Sequence, residues 1–208
     1  KNELWYKMRD DIADAIYILT SQIHAIGLSD AIRTRTNIKH IRDSPFITLS
    51  DCTGNWEIST ISDLKSKCDE EENESYVLFI HQKGITKDDE SKMRDWRHLM
   101  SYFNIERWKD CIEKLNEGYD TVGVNWQENF EHPHYSGTFW WATSNYIKKL
   151  PVIKKPSENN NGCQFFHTYG YRFEGEFWIG LEKPNWYSMH NSGIDHYMHN
   201  YPEEKYKE

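Results

Sequence analysis

The chain has 208 residues, room for one domain with a substantial core, and a formal net charge of −8. That acidic balance argues against a nucleic-acid binder, which presents a basic face; Lys and Arg are scattered apart from the Lys148-Lys149 and Lys154-Lys155 pairs. Aromatic residues make up 15%, with nine Trp and thirteen Tyr, which suits stacking on sugars or nucleotides and equally suits an aromatic-rich core.

Leu4, Met8, Ile12, Ile16, Leu19 and Ile23 recur at helical spacing and predict a long first helix closed by Gly27. A strand is expected around 37–41, followed by a loop through Pro45 and Gly54. Thr60 or Ser62 can cap a second helix that runs into the acidic stretch 69–74, read as solvated surface. Residues 76–80 form a continuous apolar run, as in a strand buried on both faces, and end at His81-Gln82-Lys83-Gly84. Two helices are predicted over 91–103 and 105–116, the second closed by Gly118. Further buried strands are expected over 121–126 and 138–142, with a helix starting at Thr143 or Ser144. A polar loop at 157–163, a helix over 173–181 and a last strand over 186–189 follow. The charged tail beyond Pro202 is expected to fray.

Strands alternating with helices predict a single α/β domain over residues 1–208, with a mainly parallel, mixed central sheet flanked by helices. Such sheets bind ligands beyond the carboxyl ends of their strands, here just after Ile80, Val124 and around the 138–142 strand. Cys52, Cys68, Cys111 and Cys163 have neither CxxC nor metal-ligand spacing and read as free thiols of a reducing compartment. With no signal peptide and no apolar run of roughly 18 residues, the expectation is a cytoplasmic protein without a membrane span. The start in a helical pattern without Met suits a piece of a longer, multidomain chain.

The segment 134–150 is the most informative. Ser136-Gly137 allows close backbone approach, because glycine has no Cβ. Trp140 and Trp141 then point to opposite faces of a strand, so one is expected in the core and the other facing a cleft. Core packing of both is the alternative.

Three segments in order carry a resemblance: Tyr-Val-Leu-Phe-Ile-His-Gln-Lys-Gly at 76–84, Asp-Trp-Arg-His-Leu-Met-Ser-Tyr-Phe at 95–103, and Tyr-Asp-Thr-Val-Gly-Val-Asn-Trp at 119–126 with Ser-Gly-Thr-Phe-Trp-Trp-Ala at 136–142. Over roughly residues 55–190 the chain resembles a group of nucleotide-sugar glycosyltransferases with the GT-A fold, whose members read His-Thr-Lys-Gly and Ser-Gly-Asn-Phe-Trp-Trp-Ala. The group has bacterial members and one that forms the first domain of a multidomain chlorella-virus protein; for a viral member the compartment would be the host cytoplasm. The resemblance implies sugar transfer from a UDP-sugar to a glycan acceptor, assisted by a divalent metal, Mn²⁺ by preference. Two departures stand out. Most GT-A enzymes carry Asp-x-Asp where this chain reads His81-Gln82-Lys83, and they open with a strand that cradles the base where this chain predicts a helix.

On that reading Lys83 neutralises the leaving diphosphate, His81 ligates metal or donates to phosphate, and Gly84 turns the loop around the phosphates. Asp95 could hold metal or a sugar hydroxyl, and Arg97 phosphate, unless they form an ordinary helix-start ion pair. Asn125, Trp126, Ser136, Gly137, one of Trp140 and Trp141, and Glu174 are candidates for the sugar or acceptor pocket. Glu176, beside apolar residues that favour a proton-accepting carboxylate, is the candidate acceptor base. His190 is placed for metal or diphosphate. Asp120 reads as a turn residue, and His132, His134, His196 and His199 as surface histidines. The rival from another class is a non-catalytic, lectin-like module using the same tryptophans. A metal-dependent hydrolase built on the histidines lacks a ligand triplet.

Overall fold

The computed structural model describes residues 58–81, 91–153 and 173–207, and the strand backbones 23–26 and 47–48. Six short strands form one sheet: β1 (Ile23–Ile26), β2 (Ile47–Thr48), β3 (Tyr76–Phe79), β4 (Thr121–Gly123), β5 (Trp140–Thr143) and β6 (Trp186–Ser188). Their order is β2-β1-β3-β5-β4-β6. β1 lies parallel to β2 and β3, and β4 parallel to β6, whereas β5 runs antiparallel to both its neighbours. The sheet is therefore mixed, with β5 alone reversed among the described strands.

Helices cover both faces, which is why the central strands read as unbroken apolar runs. On the first face Leu78, Val122 and Trp141 pack under α2 (Ser91–Ser101), a π-helical turn (Tyr102–Glu106) and α3 (Trp108–Asn116). On the second face Val77, Phe79, Trp140 and Ala142 pack under α1 (Ile58–Glu70), α4 (Ser144–Lys149) and the end of α5 (Phe173–Trp178). The Thr143 hydroxyl caps α4 by accepting from the Tyr146 N–H at 3.1 Å. Gly118, at φ +100°, closes α3 in the left-handed region.

Several expectations are corrected. Within the span predicted as a first helix closed by Gly27, Ile23–Ile26 form a strand instead, β1, held by their parallel register on β3. Short apolar segments fit both periods, and sheet pairing decides between them; residues 4–22 of that helix, and the strand at 37–41, lie outside the described residues. Ile47 and Thr48, expected in a loop, form the outer strand β2. The helix predicted over 91–103 changes to a π turn at Tyr102, with the Arg107 N–H bonded to the Tyr102 carbonyl at 2.9 Å. That turn directs the Asn104 carbonyl to the Trp141 indole N–H at 2.8 Å. The tail beyond Pro202 is pinned rather than frayed, because Tyr206 is buried against Tyr201, rings 6.0 Å apart. The loop at 157–163 lies outside the described residues.

Candidate functional site at the carboxyl edge of the sheet

Since all strands but β5 share a direction, the chain leaves β3, β4 and β6 at one edge and enters β5 from it. His81 follows β3, Asn125 follows β4, Ser136 and Gly137 precede β5, and His190 follows β6. Strand ends leave backbone groups without ladder partners, and here these groups bind one another. The Asn125 N–H donates to the His190 carbonyl at 2.8 Å, and the Ser136 N–H to the Asn125 carbonyl at 3.1 Å. His81 donates from Nε2 to the Gly137 carbonyl at 3.0 Å. In the neutral ring its lone pair then sits on Nδ1.

Asn125 is the hub. Its φ of +54° is left-handed, a conformation asparagine tolerates better than most residues. The turn also sends Trp126 to the second face, although Val124, two residues earlier, packs on the first. The Asn125 side chain accepts from the Ser192 N–H at 2.7 Å and donates to His196 Nε2 at 3.0 Å. The Ser192 hydroxyl reaches the same nitrogen at 2.9 Å, so the proton of the neutral imidazole belongs on Nδ1. That Nδ1 is buried and has no hydrogen-bond partner among the described residues.

His196 was expected at the surface, yet it is 3% exposed and lies flat on Trp96, rings 5.2 Å apart. Burial pulls its pKa down to about 4. His190 is half-buried, stacked on Phe103 at 5.2 Å, and bonded through Nε2 to the Tyr201 hydroxyl at 2.9 Å. Burial lowers its pKa too. His134 is likewise buried rather than superficial, with Nδ1 donating to the His132 carbonyl at 2.8 Å. His132 is half-buried against Phe177, and His199 is exposed as expected.

The tryptophan pair is corrected as well. Trp140 and Trp141 do face opposite ways, but both are fully buried because both faces are covered, so neither reaches a cleft. Trp140 stacks on Phe79 at 4.9 Å. Gly137 does permit a close approach, at φ +94°, but to protein: a Cβ there would lie 2.3 Å from Met100 Sδ. Trp126 is 6% exposed on the second face, stacked with Trp186 at 5.4 Å.

Asp95 accepts from the Asn200 side chain at 2.8 Å, which ties the C-terminal segment to the start of α2. Arg97 is 6% exposed. Glu174 and Glu176 both lie in the first turn of α5, the former buried and the latter half-buried, and diverge as two-residue spacing dictates. Asp120 is a turn residue, accepting from the Asn185 N–H at 2.9 Å. Lys83 and Gly84 lie outside the described residues. Among the described residues no three His, Cys, Asp or Glu side chains gather to hold a metal ion.

A family model matches residues 14–199, spanning every element of this edge. The chain belongs to the DUF8361 family. The description of DUF8361 is a domain of unknown function, so membership carries no activity with it. No curated protein and no solved structure matches the chain. Among the described residues of this DUF8361 domain, no helix is long and apolar enough to cross a membrane.

Proposed function

We propose that the chain is a glycosyltransferase that moves a hexose or deoxyhexose from a UDP-sugar to a glycan acceptor, assisted by a divalent metal such as Mn²⁺. One observation carries the reading: the segments that resemble GT-A enzymes come together, with His81, Asn125, Gly137 and His190 gathered at one sheet edge through direct hydrogen bonds. That edge is where open α/β sheets place nucleotide ligands. β1, paired in parallel with β3, also supports it, since GT-A domains use a first strand to cradle the base.

Lys83 would neutralise the diphosphate as it leaves, a charge that grows in the transition state. His81 and His190 fit a metal in part: each is an imidazole at the edge, but each Nε2 is engaged, and the oxygen ligands that Mn²⁺ favours would have to come from diphosphate and water. When bound, the metal would supply further positive charge to the leaving diphosphate. Glu176 would accept the proton of the acceptor hydroxyl. A donor-turnover assay with UDP-sugars and Mn²⁺ tests the reading. Lys83→Ala is expected to abolish turnover while leaving the circular dichroism spectrum unchanged; unaltered turnover would exclude the diphosphate role.

A further inference from the structure

A cleft with a volume of about 510 Å³, well within the range of small-ligand sites, lies where the connection from β4 to β5 meets the second face of the sheet at Trp186. Trp186, one of its walls, pairs with Thr121 at the start of β6, the opposite end of that strand from His190. We propose that this cleft binds a neutral saccharide. The inference needs neither nucleotide nor metal and does not rest on the transferase reading.

The walls are aromatic: Trp126 and Trp186 stack with their planes 20° apart, and Phe177 also lines the cleft. Trp186 is half-exposed, so its ring is available to the C–H face of a sugar. Trp126 is buried, so of the stacked pair Trp186 offers the accessible ring. Around the aromatics stand the exposed carboxylates of Glu128 and Glu131 and the exposed ammonium of Lys183. Acceptors and a donor of opposite charge suit hydroxyl groups, which both donate and accept. A phosphate would meet two carboxylates, and a quaternary ammonium would meet the like charge of Lys183. The walls are also held in place: a Cβ on Gly180 would lie 1.8 Å from the Pro133 carbonyl oxygen, so the two sides of the cleft close directly on each other.

The test is a tryptophan-fluorescence titration of the whole chain with maltose, cellobiose, lactose and diacetylchitobiose, without nucleotide, and with choline and inorganic phosphate as comparison probes. At least one disaccharide is expected to give a saturable change. Trp186→Ala should raise its Kd about tenfold or more, and Glu128→Gln at its exposed position about threefold, with melting curves confirming that both variants fold. Absence of binding by all four disaccharides, a Kd indifferent to both variants, or saturable binding of choline or phosphate instead would each overturn the proposal. Because UDP is absent throughout, this result stands apart from the outcome of the donor-turnover assay.

Discussion

The interior of the sheet and its carboxyl edge use similar aromatic and polar residues to opposite ends. Inside, Trp140 and Trp141 are sealed between covered faces, and the Trp141 indole spends its one donor on the Asn104 carbonyl. At the edge, the ladder has ended, and His81, Asn125, Ser192 and His196 satisfy the loose backbone and one another. That leaves the buried Nδ1 of His196 unmatched among the described residues. The Trp140 indole N–H is unmatched among them too, but it is sealed between the covered faces where it can only affect stability, whereas groups at the ends of strands retain capacity for a ligand.

If that division holds, the largest change in stability comes from the interior. Trp141→Ala should cost about 3–5 kcal/mol in urea unfolding, by cavity formation and an orphaned carbonyl. A loss below about 1 kcal/mol would mean the face is not closed over the ring. Next comes Gly137→Ala, where a positive φ combines with a clash against Met100; because that side chain can shift, about 2 kcal/mol is expected.

A smaller effect separates the regions by pH. The folded-state pKa of His196 lies near 4, below its ordinary 6.5, so the unfolded chain binds the proton first as pH falls. Stability should be full above about pH 6.5 and decline towards pH 4. His190 and His98, also lowered by burial, act with the same sign. His196→Gln should flatten the slope of melting temperature against pH over that window, and an unchanged slope would contradict its buried, neutral state. Smallest for stability is His81→Ala, expected to cost about 1 kcal/mol as the half-buried ring gives up its hydrogen bond to the Gly137 carbonyl and its contacts with Phe79 and Phe139.

Much of the interior was legible because apolar runs and caps are local signals. The strands at 76–80 and 138–142 and the Thr143 cap emerged within two residues, while the strand predicted over 121–126 ends at Gly123, short of the left-handed Asn125. Ile23 fits a helical spacing in the sequence, and the partner that makes Ile23–Ile26 a strand lies some fifty residues on. His196 was hidden for the same reason: its partner Asn125 is 71 residues away, and nothing in Asp-His-Tyr-Met-His reports that contact. A cue did exist, since His190 opens the loop after the last strand and Ser192-Gly193 turns it back, Gly193 having φ +67°. The tryptophan pair misled because side-chain alternation tells which face a residue takes, not whether that face is covered.

The most direct measurement is calorimetric titration of the whole chain with UDP, with and without Mn²⁺, repeated on His81→Ala. The account predicts saturable UDP binding that strengthens with Mn²⁺ and weakens in the variant. No heat of UDP binding under either condition would contradict a nucleotide-sugar site at the carboxyl edge.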